Sequence, residues 1–177
     1  RITQTNSAGD NVPLIDPVTN KVVGEIKDIE ANHGVAAAPD GSRMYFSDEA
    51  LETLDIVDAR TLQVTKRIPP SGRPNNISIS RDGRRVYVAI VQAPGAVDVI
   101  DTVSEERVKT IPAKGGVHNT YVTPDGKYVI AGSIVGKIMT VIDQQTEQPV
   151  WSLEFDLGVR PMAFEQNADG STKRIFV

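Results

Sequence analysis

The amino-acid sequence repeats with a period of 42 to 44 residues, and this period constrains the fold more than any local feature. Asp-Gly pairs recur at spacings of 42, 43 and 44 residues, at Asp40-Gly41, Asp82-Gly83, Asp125-Gly126 and Asp169-Gly170. A branched aliphatic residue followed by Asp recurs at spacings of 42, 43 and 42 residues, at Ile15-Asp16, Val57-Asp58, Ile100-Asp101 and Ile142-Asp143. Two independent markers that agree over four units indicate a structural repeat.

Each unit contains four short runs rich in β-branched and aromatic residues, separated by turn residues. In the second unit these runs are GVAAA before the Asp-Gly turn, RMYFS after it, then LDIVD and QVTKRI. Such runs predict strands, which we name A to D with A innermost, and a four-stranded repeat of about 40 to 45 residues has the length of one propeller blade. The sequence therefore predicts an all-β protein, a β-propeller of four-stranded antiparallel blades with about four blades present. The expected units of this single segment are 1–31, 32–72, 73–115, 116–158 and a partial unit, 159–177.

The aspartates that mark the repeat have a structural explanation. Each aspartate after strand C opens a D-x-x-T or D-x-x-S turn, in which the carboxylate can accept backbone N–H bonds and the hydroxyl can close the corner. We therefore predict that Asp16, Asp58, Asp101 and Asp143 form turns and have no catalytic role. The same interpretation applies to the aspartates of the Asp-Gly pairs.

The combined pattern PDG…YV…VxVIDxxTxxVxxI resembles the YVTN-repeat β-propellers, which are mostly bacterial and archaeal secreted or surface proteins. The resemblance covers essentially the whole chain. The signature tetrapeptide itself is degenerate, reading TQTN (3–6), YFSD (45–48), YVAI (87–90) and IAGS (130–133). The resemblance implies a periplasmic or extracellular location, whereas the residues alone are compatible with the cytoplasm as well. It also implies a ring of seven blades.

The chain is too short for such a ring. Seven blades at this period need roughly 300 residues, and the sequence has 177. An open arc would leave a strand edge and two apolar blade faces exposed. We therefore expect the chain to be a segment of a longer polypeptide that supplies the remaining blades. The alternative is that a second copy closes the ring.

Composition excludes several classes of function. The sequence has 19 basic and 23 acidic residues, a net charge of −4 and no basic cluster, which argues against a nucleic-acid partner. No apolar run approaches the ~18 residues that a membrane-spanning helix needs. The absence of cysteine excludes disulfides, zinc–thiolate sites and cysteine nucleophiles. No G-x-S-x-G, Walker or H-E-x-x-H motif is present.

The two histidines occupy matched positions in the repeat. His33 and His118 each lie seven residues before the Asp of a PDG sequence, and the equivalent residues of the other units are Asn75 and Met162. Because successive strands of a blade are antiparallel, this position is the start of strand A, at the end of the blades opposite the Asp-Gly turns. We call the end with the D–A and B–C connections the loop rim and the other end the Asp-Gly rim. Both histidines should therefore lie at the loop-rim mouth of the central channel.

The polar residues of the loop rim differ from blade to blade, which favours a functional role, because the fold already explains the residues that recur. Besides the two histidines, the predicted ligand-binding residues of this rim are Arg73, Asn75, Arg160, Asp48, Glu49 and Asn119. The arginines could bind a carboxylate or phosphate bidentately. We expect this rim to hold the binding site.

Three interpretations of the histidines stay open. The first is recognition, in which the rim binds a small molecule, a glycan or a protein partner. The second is an enzyme of lyase, lactonase or metal-dependent oxidoreductase type, with His33 and His118 as acid–base groups or as ligands of a transition metal, the candidate cofactor. The third is that both imidazoles only hydrogen-bond to backbone at the ends of their strands.

Overall fold

The computed structural model describes residues 1–177 and consists of strands and connecting turns without helices. Seventeen strands form five antiparallel sheets in which each strand pairs with its neighbour in sequence. Three of the sheets are complete four-stranded blades, and they are flanked by a three-stranded and a two-stranded sheet. The predicted fold class, an all-β propeller with about four blades present, is confirmed. No helix is long and apolar enough to cross a membrane.

The strand bounds follow the predicted repeat closely. The first blade lacks strand A and contains β1 (Ile2–Thr3), β2 (Asn11–Asp16) and β3 (Lys21–Lys27). The second contains β4 (Asn32–Ala37), β5 (Arg43–Asp48), β6 (Thr53–Asp58) and β7 (Val64–Ile68). The third contains β8 (Pro74–Ile79), β9 (Arg85–Ile90), β10 (Ala96–Asp101) and β11 (Glu106–Pro112). The fourth contains β12 (Asn119–Val122), β13 (Tyr128–Ser133), β14 (Ile138–Asp143) and β15 (Gln148–Glu154), and the fifth contains β16 (Ala163–Gln166) and β17 (Thr172–Phe176).

The aspartates after strand C form the predicted turns. Asp58 Oδ1 accepts hydrogen bonds from the backbone N–H groups of Arg60 and Thr61, at 3.0 and 2.7 Å, and from the Thr61 hydroxyl at 3.0 Å. Asp143 accepts both bonds from Thr146, and Asp16 accepts from the backbone N–H of Val18 and the hydroxyl of Thr19. These bonds stabilise the ionised carboxylate, with the backbone N–H as the largest effect, and they lower the pKa of all three side chains.

β-Bulges recur at matched positions, which the sequence analysis did not predict. The C–D register shifts by one residue in each of the four blades that have both strands, at Leu14/Ile15, Ile56/Val57, Val99/Ile100 and Val141/Ile142. The A–B register shifts between Asn32 and Val35 in the second blade and between Pro74 and Ile77 in the third. Bulges bend a strand and re-aim its side chains, and the A–B bulges lie at the predicted histidine position.

The hydrophobic core lies between blades rather than within them. Tyr45 and Leu54 of the second blade pack with Val88 of the third, and Tyr87 of the third packs with Val129 of the fourth. A third cluster joins the first and second blades, and a fourth joins the fourth and fifth. Each of the three complete blades therefore buries its two faces against its neighbours, and the first and fifth blades each bury one.

The turn aspartates predict an acid-sensitive fold. Because the pKa of Asp58 is lowered in the folded state, its bonds stabilise the protein above about pH 4, the unfolded value, and this contribution is lost as the pH falls further. We expect the urea midpoint, followed by circular dichroism, to be flat from pH 7 to pH 5 and to drop below pH 4. Asn can still accept the N–H bonds but does not titrate, so D58N should show a shallower drop. An equal drop in both proteins would contradict this assignment.

Candidate functional site

The starts of the inner strands meet closely at the loop rim. His33 lies in β4, Asn75 occupies the matched place in β8, and His118 directly precedes β12. A Cβ on Gly34 would lie 2.5 Å from the backbone nitrogen of Ile77, so glycine at this position lets β4 and β8 approach. The structure therefore brings the matched positions of neighbouring blades into contact, as the repeat predicts.

Glu49 links the residues of two blades into one polar array. Its Oε2 atom lies 2.5 Å from His33 Nε2, and its Oε1 atom lies 3.2 Å from Arg73 Nε. His33 Nδ1 lies 3.4 Å from Asn75 Nδ2. His33 and Glu49 belong to the second blade, whereas Arg73 and Asn75 belong to the third. We call these four residues the Glu49 array, and all four were predicted as site residues.

The hydrogen bonds of the array assign the tautomer of His33. Asn75 Nδ2 can only donate, so Nδ1 of the imidazole accepts. The proton of a neutral ring then resides on Nε2 and is donated to Glu49. The ring is thereby oriented by a carboxylate on one side and an amide on the other.

The array is half-buried, with one cationic group reaching into solvent. The Glu49 and His33 side chains are 20% and 30% exposed, whereas the Arg73 side chain is 53% exposed. Arg73 makes its closest approach to Glu49 through Nε, and the Nη1 and Nη2 groups at the outer edge of the guanidinium have no ion pair in the protein. These two groups can donate to a planar anion.

Asp48 and Asn119 stabilise the loops of the rim and do not offer their polar groups to a ligand. Asp48 is fully buried, and its two oxygens accept hydrogen bonds from the backbone N–H groups of Glu30 (2.9 Å) and Leu51 (2.8 Å). Asn119 is also buried and accepts a hydrogen bond from His118 Nδ1 at 2.7 Å. These contacts fix the B–C loop and the second imidazole in place.

His118 and Arg160 lie outside the Glu49 array. The bond to Asn119 places the proton of neutral His118 on Nδ1 and leaves Nε2 as a free acceptor. Arg160 is exposed on the connection that precedes β16. The structure thus joins four of the predicted residues through side-chain contacts, whereas the side chains of His118 and Arg160 make no hydrogen bond or ion pair with them.

The residues of this chain do not by themselves form a metal centre. No group of three or more His, Cys, Asp or Glu side chains is arranged to hold a metal ion. Both ring nitrogens of His33 already have partners, and His118 offers one free nitrogen. The metal interpretation of His33 and His118 stays a prediction that needs further ligands.

The sequence analysis missed a pocket at the opposite, Asp-Gly rim. This cavity of about 430 Å³ lies between the third and fourth blades, and its lining includes Tyr87 and Gln144. The sequence does contain a signal for this pocket, in the residue that follows the turn aspartate of each unit. In the four successive units this residue is Pro17, Ala59, Thr102 and Gln144. A long polar residue in an otherwise repeated turn marks this junction as different.

Comparison with known proteins supports the class of protein that the fold defines, a β-propeller. No protein-family model and no curated protein matches the chain. Among solved structures, a chain of Kuenenia stuttgartiensis hydrazine synthase is similar, with a TM-score of 0.80 and 29% sequence identity. The match covers 95% of this chain and 49% of that one, so the present chain spans about half the length of its structural neighbour.

The hydrogen bonds of the buried Asp48 carboxylate predict that it has a structural role. In D48A the N–H groups of Glu30 and Leu51 lose their charged acceptor, and a hydrogen bond to a charged group contributes about 1.5–3 kcal/mol. We expect a clear loss of unfolding free energy in urea titrations. E49A, one position along the same loop, should change the unfolding free energy by less than about 1 kcal/mol because its ion pairs are partly exposed. If D48A were as stable as E49A, Asp48 would be available for a ligand.

Proposed function

We propose that this propeller is a binding scaffold whose loop rim recognises a ligand with a carboxylate or phosphate group. Such a ligand could be a small molecule, an acidic glycan or an acidic segment of a protein. The observation that carries the proposal is the Glu49 array, in which Glu49 holds the half-exposed guanidinium of Arg73 beside the imidazole of His33.

The chemistry of the array favours an anion. Glu49 fixes Arg73 through Nε, so the guanidinium is oriented before a ligand arrives and loses less side-chain entropy on binding. His33 adds a second positive charge whenever it is protonated. A ligand anion would lie against the outer edge of Arg73.

The wider setting of the proposal follows the resemblance to YVTN-repeat propellers. We propose that the chain belongs to this group, acts in the periplasm or outside the cell, and forms a ring with further blades of a longer polypeptide. The similarity to the hydrazine synthase chain supports the scaffold, because it covers nearly all of this chain. Its coverage of half of that chain is compatible with a ring larger than the segment described.

Binding experiments on the intact protein test this function. We expect an array of acidic glycans, together with citrate, succinate and inorganic phosphate in calorimetric titrations, to reveal saturable binding of at least one probe. R73Q should weaken that binding about tenfold or more, because a charge-assisted bidentate contact is lost. R73K, which keeps the charge without the planar fork, should fall in between.

An arginine on the opposite rim provides the matched control. Arg60 is exposed in the C–D turn of the second blade, and R60Q removes the same charge from the protein. We expect R60Q to bind as the wild type does. Equal weakening in R60Q and R73Q would reveal a general charge effect and overturn the assignment to the loop rim.

The pair of His33 and Glu49 favours an enzyme as the second candidate. A carboxylate 2.5 Å from an imidazole nitrogen is an arrangement that orients a general acid–base group. The structural neighbour is itself named a synthase. In this alternative, of lyase, lactonase or metal-dependent oxidoreductase type, Arg73 holds the substrate and His33 exchanges the proton through Nδ1, which requires Asn75 to move away from that nitrogen.

Metal analysis separates the metal-dependent oxidoreductase from the other candidates. For a binding scaffold, and equally for a metal-free lyase, we expect elemental analysis of the intact protein to show no stoichiometric copper, manganese or iron, and the melting temperature to be unchanged by EDTA. Stoichiometric metal that is lost in H33A or H118A would favour the metal-dependent oxidoreductase instead.

A further inference from the structure

The pocket at the Asp-Gly rim combines the edge of one blade with the turn of the next. The third blade contributes its Asp-Gly turn and the adjoining ends of its B and C strands, and the fourth contributes its C–D turn. The cavity volume of about 430 Å³ lies within the range of small-molecule sites. Its polar lining includes Asp82, Arg84, Tyr87, Asp101, Gln144 and Glu147.

Two residues that line this pocket carry a buried polar atom without a hydrogen-bond partner in the protein. Tyr87 is fully buried, and its hydroxyl meets no donor or acceptor of the protein. Gln144 Oε1 is also buried without a partner. Buried polar groups are nearly always satisfied, and leaving one unpaired costs about 1–3 kcal/mol. Two such atoms at the wall of one cavity therefore favour an occupant, water or a ligand, that supplies the missing hydrogen bonds.

The two atoms specify what kind of group would satisfy them. Gln144 Oε1 can only accept, so its partner must donate. Burial raises the pKa of Tyr87, which keeps the hydroxyl protonated and able to donate as well as accept. An alcohol group fits either atom, since it too donates and accepts.

The charges around the cavity balance. Arg85 is paired with Asp101 of its own blade and, across the blade junction, with Glu147. Glu147 also lies 3.6 Å from Lys109 of the third blade. Asp82 Oδ1 accepts bonds from the Ser80 hydroxyl and the Arg84 backbone. Three carboxylates therefore face three cationic side chains, and the pocket has no net charge that would favour an ionic ligand over a neutral one.

We propose that this pocket binds a neutral polyhydroxylated molecule of about the size of a monosaccharide or a disaccharide. Ligand hydroxyls donate to Gln144 and to the carboxylates, and accept from Tyr87 and from the exposed Arg84. The site is separate from the loop rim in position, residues and ligand charge. It therefore does not depend on the function proposed for the Glu49 array.

The preceding blade junction lacks the feature that motivates the proposal. A corresponding cavity of about 400 Å³ is lined by Tyr45 and Thr102, which occupy the places of Tyr87 and Gln144. The Thr102 hydroxyl donates to the carbonyl oxygen of Gly83 at 2.7 Å, and neither Tyr45 nor Thr102 has a buried polar atom without a partner. The two junctions thus form an internal comparison of a pocket with and a pocket without unpaired buried atoms.

Calorimetric titration of the intact protein with D-glucose, D-galactose, D-mannose and myo-inositol tests the proposal. We expect saturable binding of at least one of these probes and weaker or no binding of inorganic phosphate at this site. Y87F should weaken the binding about tenfold, because one buried hydrogen bond is lost. Q144L should have a comparable effect, and Y45F, the matched control in the preceding junction, should have none.

The variants also separate a binding defect from a folding defect. Without ligand, Y87F removes an unpaired hydroxyl and should therefore unfold at the same or a higher urea concentration than the wild type. Failure of all four probes to bind would mean that the cavity holds only water and would overturn the proposal. Binding that is unaffected in Y87F and Q144L, or equally weakened in Y45F, would place the ligand elsewhere and overturn it too.

Discussion

The structure depends on the burial of blade faces against neighbouring blades. Every hydrophobic cluster joins two consecutive blades, so a blade on its own would expose both of its apolar faces. Fully buried side chains such as Leu54 and Ile100 contribute about 1.5–3 kcal/mol each. The junction between two blades is therefore the unit of stability, and both candidate sites lie at junctions.

The Asp-Gly rim shows how one junction differs from the next. Glu105 and Glu147 sit at the positive-φ position of their C–D turns and reach back to an arginine and a lysine of the preceding blade. At the first junction the same position is Leu62, also at positive φ, which packs against the hydrophobic cluster of the first two blades. Partly exposed ion pairs contribute about 0–1 kcal/mol, less than apolar burial. The positive-φ backbone of the turn is thus the same at these junctions. The side chain at that position makes a hydrophobic contact at the first junction and ion pairs at the next two.

The repeat period made most of the fold predictable, and the departures from it have physical causes. The matched aspartates made the C–D turns predictable, since each carboxylate bonds within its own turn. The A–B bulge next to His33 recurs in the third blade, where Asn76 occupies the place of Gly34, so no shared residue type marks it in the sequence. The sequence placed Glu49 and His33 on one rim, but their pairing depends on the path of a non-repeating loop. Tyr87 appears as a core residue in the sequence, and only the packed junction shows that its hydroxyl lacks a partner.

The two rims differ in how their polar groups are satisfied, and this difference determines how each can bind a ligand. At the loop rim Glu49 already pairs with His33 and Arg73, so an anion must compete with an internal carboxylate and gains mainly from an oriented guanidinium. At the Asp-Gly rim Tyr87 and Gln144 lack partners, so a ligand relieves a cost that the folded chain already carries. The sites share no residue, and energies at separate sites are nearly additive. Occupancy of one rim should therefore leave affinity at the other unchanged unless the blades move relative to each other.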